Sequence, residues 1–343
     1  MKLLEIKNLT LSFQYPNKEV IALDDFSLTI AAGERIGLVG ESGAGKSLAI
    51  FSILKLLKPP CKIKSGSIRF CGREITTMNE TELNRLRGDK ITMIFQNPLG
   101  SLNPVLTVGT HLIETARAHS SLSYKEAYDL ACSRLNDVKI TRVHERMRAY
   151  PNEFSGGMRQ RIVIACALMT NPQLMLIDEP TTALDVTIQA EIMELIYNLS
   201  VEKKCAFILV SHDLGLVSQL TERVLVLYAG QIVEANATRQ IIRYPHHPYT
   251  KGLIECLPEF QRTKKQLKVI PGRMPGLDEW PVGCRFHPRC DFAKNDCKEK
   301  MPAVTRLKKA VSAPVSNVKR TSSLNTPVAP YVKCFYPLNE KKP

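Results

Sequence analysis

A chain of 343 residues can bury one large core or two modest ones, so a main domain with an extension is expected. Apolar residues make up 44% and charged residues 23%, and no run approaches the roughly 18 consecutive apolar residues of a membrane span, which excludes a chain that crosses a bilayer by itself. The net charge of +14 is uneven: residues 261–343 hold 18 Lys and Arg against 6 Asp and Glu, and without a helix-turn-helix, zinc-finger or RNA-binding signature this basic stretch reads as a solvated face or one near anionic lipid, not a nucleic-acid surface.

The opening MKLLEIKNLTLSF alternates apolar and polar residues where a signal peptide would have a continuous apolar core, and reads as an edge strand of a cytoplasmic protein. With VIALDDFSLTI (20–30) it predicts an antiparallel pair. ERIGLVG (34–40) is a β-rich run ending in Gly, and beyond SGAGKS the segment LAIFSILKLL predicts a helix stopped by Pro59 and Pro60. Residues 97–155 read as helical, with no strand among them. LMLIDEP (174–180), CAFILVSHD and RVLVLYAG are short apolar runs of the kind buried on both faces of a parallel sheet, with the helical IQAEIMELIYNLSVEK among them. Strand, crossover helix, strand is the α/β pattern. No internal repeat is visible, so one nucleotide-binding unit is expected. After about Gly230 prolines become frequent, and AVSAPVSNVKRTSSLNTPVAP (310–330) reads as a flexible loop in an appendage to the main domain.

Three stretches carry chemistry. Gly40-Glu41-Ser42-Gly43-Ala44-Gly45-Lys46-Ser47 fits G-x-x-x-x-G-K-[ST] between a strand and a helix. Its glycines allow successive backbone N–H groups to face the phosphates of ATP, Lys46 can reach the β- and γ-phosphates, and Ser47 can ligate Mg²⁺. Asp178 closes an apolar strand, where α/β sheets gather ligands, and can hold Mg²⁺ through water. Glu179 follows it and is placed to polarise an attacking water. Ser155, Gly156 and Gly157 open an apolar helix and offer a second anion-binding N-terminus.

With these motifs in order, the chain resembles the ATPase subunits of ABC transporters over roughly residues 3–235. The resemblance implies an α/β, ABC-type P-loop NTPase core: a mixed sheet, an antiparallel β subdomain and a helical subdomain at about 97–165, within a nucleotide-binding domain of residues 1–235. The family's LSGGQ signature is matched by Phe154-Ser155-Gly156-Gly157-Met158, with Phe and Met as departures, and it implies contact with ATP held by a partner subunit. Gln96 matches the Q-loop and a metal-contacting role, Ala183-Leu184-Asp185 the D-loop, and His212 the switch histidine. Phe13 matches the aromatic that stacks on adenine, with Tyr15 as the second candidate. FQNPLGSLNPVLTVG and YPHHPYTKGL resemble the branch that imports oligopeptides, dipeptides and nickel, and Ile270-Pro271-Gly272 belongs to that branch's extension, residues 236–343. His246 and His247 of this segment read as packing or hydrogen-bonding residues, not nickel ligands. The resemblance implies an ATPase energising dipeptide or oligopeptide uptake, with nickel or antimicrobial-peptide import, or a soluble non-transport ABC ATPase, as alternatives. It also implies a second ATPase subunit, by analogy a paralogue, two transmembrane permease subunits, an external solute-binding protein, and a peripheral place on the cytoplasmic face of the bacterial inner membrane.

Of ten cysteines, six are scattered singly and read as small core residues, in a cytosolic setting that keeps thiols reduced. Cys284, Cys290, Cys297 and Cys334 form C-x5-C-x6-C-x36-C in an irregular extension. The spacing lacks paired C-x-x-C knuckles, and leaves open an iron–sulfur cluster, zinc, or reduced thiols and opportunistic disulfides. Arg285, Arg289, Lys294, Lys298 and Lys333 flank the thiols and are expected to favour thiolates. The resemblance to the peptide-importing branch implies a [4Fe-4S] cluster on these four residues.

Overall fold

The computed structural model describes residues 2–181, 184–257, 268–307 and 329–339. It divides into two compact units, Met1–Thr76 with Val210–Pro343, and Thr77–Leu209.

The first unit opens with the expected antiparallel pair, β1 (Lys2–Tyr15) and β2 (Lys18–Ala31), with Phe13 opposite Val20 and Tyr15 opposite Lys18. β3 (Arg35–Val39) is buried at every position, as a strand covered on both faces must be. The helix after it, α1 (Lys46–Ile53), ends well before the prolines expected to stop it. Lys55 adopts a left-handed φ of 51°, its N–H donates to Ser52 O, and the N–H of Leu56 donates to Phe51 O. This pair of bonds is the Schellman closure, which satisfies the last carbonyls without a proline. β4 (Cys61–Phe70) pairs antiparallel with β1, and β5 (Arg73–Glu74) completes a four-stranded sheet in the order β2-β1-β4-β5, so β1 is an inner strand and not the edge strand expected. The alternation in CKIKSGSIRF is itself a strand signal.

The second unit holds α2 (Glu80–Asn84), β6 (Ile91–Ile94) and the expected helical stretch: α3 (Pro98–Ser101), α4 (Val108–Ala118), α5 (Tyr124–Asp137), α6 (Val143–Arg146) and α7 (Gly156–Ala167). Ser123 and Glu126 close a reciprocal capping box at the start of α5, which fixes where it begins. β7 (Leu174–Asp178) is wholly buried and runs parallel to β6, and α8 (Val186–Glu202) follows it. β8 (Ala206–Ser211) carries the chain across the division back into the first unit.

There, α9 (Leu214–Leu220) leads to β9 (Arg223–Tyr228), which runs parallel to β3, and β10 (Gln231–Ala237), antiparallel to β9. A buried ion pair, Arg223 with Glu34 at 3.0 Å, and a partly buried one, Arg35 with Glu222, sit where β3 and β9 begin side by side. α10 (Thr238–Arg243), α11 (Pro248–Glu255) and α12 (Asn295–Glu299) follow, then β11 (Thr305–Arg306) and β12 (Tyr331–Val332). The strand order β11-β12-β10-β9-β3 makes this sheet mixed, and it corrects one expectation: the C-terminal stretch is no mere appendage, since it adds two strands to the edge of the first unit's sheet. Of the loop expected at 310–330, all but the last two residues lie outside the described residues.

Candidate active site

In the first unit the phosphate loop leaves β3 at Gly40. A Cβ there would come 2.2 Å from the carbonyl oxygen of Leu227, so only glycine permits the loop to start against β9. Lys46 is buried, and its Nζ donates to the carbonyls of Gly40 at 2.8 Å and Glu41 at 3.0 Å, which curls the ammonium back inside the loop. The N–H of Ala44 donates to Glu41 O at 3.2 Å, which closes Glu41–Ala44 as a tight turn just before Gly45 caps α1. Glu41 is held from the far end of the chain: its N–H donates to the Tyr249 hydroxyl at 2.9 Å and its Oε2 accepts from Arg289 at 3.1 Å. Sequence reasoning missed both partners, because contacts between residues more than 200 positions apart leave no local signal.

His212 stands just past β8 and is exposed. Ser211 Oγ accepts the N–H of Asp213, and Asp213 Oδ1 accepts that of Leu216 as the N-cap of α9, so the histidine rides on a turn fixed on its C-terminal side. Phe13 and Tyr15 share one face of β1 and stack with ring centroids 6.3 Å apart; Tyr15 is the more exposed ring.

In the second unit Asp178 is the buried last residue of β7. Glu179 follows in a left-handed conformation, φ 40°, uncommon for a residue with a Cβ, and its Oε2 accepts from Gln96 Nε2 at 3.3 Å. Ser155 caps α7, its Oγ accepting from Met158 N at 3.4 Å. Gly156 and Gly157 have a packing reason as well as the anion-binding one read from sequence. A Cβ on Gly156 would lie 3.2 Å from Leu184 Cδ2, and one on Gly157 2.6 Å from Ile188 Cγ2. Phe154 is buried beneath the Arg146 guanidinium, 5.1 Å from its ring centroid, so the departure from leucine adds a cation–π contact at this position. Asp185 caps α8 by accepting from Ile188 N at 2.9 Å. Ala183 of the same segment lies outside the described residues.

The extension brings Cys284, Cys290, Cys297 and Cys334 to the wall of one cavity, shared with His287, Phe292 and Tyr336. Cys284 N–H donates to Cys297 O at 2.9 Å, tying two of the arms together. The expectation that neighbouring cations favour thiolates is overturned. Burial first, and then the other sulfurs, push the Cys290 thiol up to about 11 and that of Cys334 up to about 12, and burial raises Cys284 as well. The cations are turned elsewhere: Arg285 to Asp24, the Ala229 carbonyl and the Trp280 ring, Arg289 to Glu41, Lys333 to Asp25, and Lys294 over the Tyr336 ring. Among the described residues no group of three or more His, Cys, Asp or Glu side chains is placed to hold a metal ion.

His246 and His247 are both anchored through the backbone, and His247 through its ring as well. Glu234 accepts both of their backbone N–H groups, at 3.0 and 2.9 Å, and the buried His247 ring accepts from Tyr249 N as the cap of α11.

Two family models match the chain: ABC transporter at residues 23–182, and the oligopeptide/dipeptide transporter C-terminal region at residues 233–297. The oligopeptide transport ATP-binding protein OppD of Salmonella typhimurium is 44% identical over 300 residues, covering 88% of this chain and 89% of that protein. OppD of Escherichia coli gives the same identity and coverage, and a putative peptide import ATP-binding protein of Brucella melitensis is 44% identical over 88% of this chain and 91% of its own length. Among solved structures, a dimeric ATP-binding cassette in a post-hydrolysis state with ADP and phosphate superposes with a TM-score of 0.62 at 28% identity, covering 69% of this chain and 99% of that one. The fold is that of an ABC ATPase cassette, and the chain belongs to the ABC transporter ATP-binding proteins that carry the oligopeptide/dipeptide transporter C-terminal region.

Proposed function

We infer that this chain is the ATP-hydrolysing subunit of an importer of dipeptides or oligopeptides. The observation that carries the reading is near-full-length similarity to oligopeptide transport ATP-binding proteins, with both the cassette and the peptide-transporter C-terminal region in one chain. The proposed division is a nucleotide-binding domain of residues 1–235, with its helical subdomain at 97–165, and an extension of residues 236–343. Among the described residues no helix is long and apolar enough to cross a membrane, so coupling to transport requires separate membrane subunits. The proposed assembly has two permease subunits, a second ATPase that is a paralogue, and an external solute-binding protein, with this chain on the cytoplasmic face of the inner membrane.

In the proposed mechanism the loop Gly40–Ser47 cradles the phosphates, Phe13 stacks on adenine, with Tyr15 as the second candidate, and Ser47, Asp178 and Gln96 are the residues for Mg²⁺. Glu179 orients the attacking water, His212 contacts the γ-phosphate, and Ser155, Gly156, Gly157 and Met158 serve the nucleotide of the partner ATPase, with Asp185 relaying between subunits. The test is ATP-dependent uptake of labelled peptide into vesicles carrying the permease subunits, with nickel as a competing cargo. Uptake of nickel alone, or ATPase activity indifferent to the permease, would overturn the reading.

Cys284, Cys290, Cys297 and Cys334 are the residues proposed to hold a [4Fe-4S] cluster. Support comes from their meeting on the wall of one cavity, where the Cys284 N–H also donates to the Cys297 carbonyl. Bound, such a cluster would supply iron cations that tie together two arms of an extension poor in regular structure. Anaerobically purified protein should carry an iron–sulfur absorption band that Cys284→Ser abolishes; colourless protein with stoichiometric zinc would reject the cluster.

A further inference from the structure

Arg289 joins the extension to the phosphate loop. Its Nη1 donates to Oε2 of Glu41, 248 positions earlier, at 3.1 Å, and also to the Tyr228 hydroxyl at 3.4 Å. The guanidinium is aimed by backbone: Nε donates to Pro271 O at 2.7 Å and Nη2 to Gly272 O at 3.5 Å. Glu41 is gripped a second time through its N–H by the Tyr249 hydroxyl. Tyr249 in turn is fully buried and packs against Tyr228 and Phe286, with centroids 4.7 and 5.3 Å away.

Glu41 poses a physical problem. It sits in a loop that must receive a polyanion, and an uncompensated carboxylate beside phosphates repels them. We propose that Arg289 is a positioning residue for ATP: it neutralises Glu41 and holds that carboxylate against the extension, so that the phosphate loop carries no repelling charge. Three features that are unrelated along the chain then share one purpose. The Pro271-Gly272 turn presents carbonyls that orient the guanidinium, Tyr249 fixes the Glu41 backbone, and Arg289 supplies the counter-charge. The extension is thereby part of the nucleotide site, and the proposal rests on the phosphate-loop reading above.

The test is a double-mutant cycle on the full chain, read as equilibrium dissociation constants for ATP and ADP. Arg289→Ala should weaken ATP about tenfold and the less charged ADP only about threefold, a difference that general loosening of the fold would not produce. In a Glu41→Gln background Arg289→Ala should change ATP binding by less than about twofold, because the charge it compensates is gone. Arg289→Lys, which keeps the charge and loses the fork, should recover part of the loss, and melting temperatures identify any variant that has failed to fold. Equal losses for Arg289→Ala in both backgrounds, or equal losses for ATP and ADP, would overturn the proposal; if Arg289→Ala is too unstable, the same comparison with Arg289→Gln, which removes the charge but keeps most of the side chain, decides. Lys46→Ala separates the two readings. Should it bind ATP like the parent, the phosphate-loop assignment falls and this proposal with it; should it lose ATP while Arg289 and Glu41 prove uncoupled, the Arg289 role alone falls.

Discussion

Gln96 donates through Nε2 to Oε2 of Glu179 at 3.3 Å, so the amide that follows β6 restrains the carboxylate that follows β7. Glu179 is meanwhile held at φ 40°, a conformation that persists only where its surroundings impose it. A general base in this place predicts that Glu179→Gln still binds ATP while hydrolysis falls about 100-fold or more. Gln96→Ala leaves the carboxylate present but less restrained, and should slow hydrolysis by about tenfold with ATP affinity within about threefold of the parent. Phosphate release and equilibrium ATP binding, measured on the same preparations, check both; near-normal turnover by Glu179→Gln would remove it from its role.

The signature glycines give a separable test of packing and chemistry. Since a Cβ on Gly157 would meet Ile188 Cγ2 at 2.6 Å, Gly157→Ala should lower stability by about 1–3 kcal/mol through overpacking. Adding Ile188→Ala removes the obstructing methyl and should return part of that loss in urea unfolding. If the double variant is no more stable relative to Ile188→Ala than Gly157→Ala is to the parent, the steric account is wrong.

The stacked pair on β1 bears on nucleotide preference. Base stacking on an aromatic ring contributes about 1–3 kcal/mol, so Tyr15→Ala, which removes the more exposed ring, should raise the dissociation constant for ATP about tenfold. Phe13→Ala should weaken ATP as well, since it removes the ring against which Tyr15 stacks. An unchanged affinity in both variants would place adenine elsewhere.

His247 makes the fold acid-sensitive. Burial pushes its imidazole down to about 4, and its Nδ1 accepts from Tyr249 N, a bond that a protonated ring cannot keep. The unfolded chain has an ordinary imidazole near about 6.5 and therefore binds a proton first as pH falls. The stabilisation from the neutral ring is complete above about pH 6.5 and is lost as pH falls toward 4, on the order of 3 kcal/mol in all. Denaturant midpoints between pH 7 and 4 should show this decline, and His247→Asn, which retains a capping acceptor but does not titrate, should flatten it.

The order of elements was legible because each is encoded over a few neighbouring residues. Continuous apolar runs gave β3, β7, β8 and β9, and alternation gave β1 and β2. The end of α1 was misread at Pro59, since a left-handed residue such as Lys55 closes a helix through its backbone and carries no residue-type signal. The rise of the Cys284, Cys290 and Cys334 thiols was illegible for a related reason: burial, its main cause, is a tertiary property, and cations adjacent along the chain point their side chains at other partners.

The sequence alone was enough to propose a phosphate loop at Gly40–Ser47, an acidic pair at Asp178 and Glu179 and a signature at Ser155-Gly156-Gly157, because each is a contiguous run whose chemistry is read from local backbone geometry. Tertiary structure decided what stands around them: Gln96 on Glu179, Ile188 over Gly157, and Arg289 and Tyr249 on Glu41. Those partners come from segments far apart along the chain, and only the path of the folded backbone brings a guanidinium at position 289 within hydrogen-bond reach of a carboxylate at position 41.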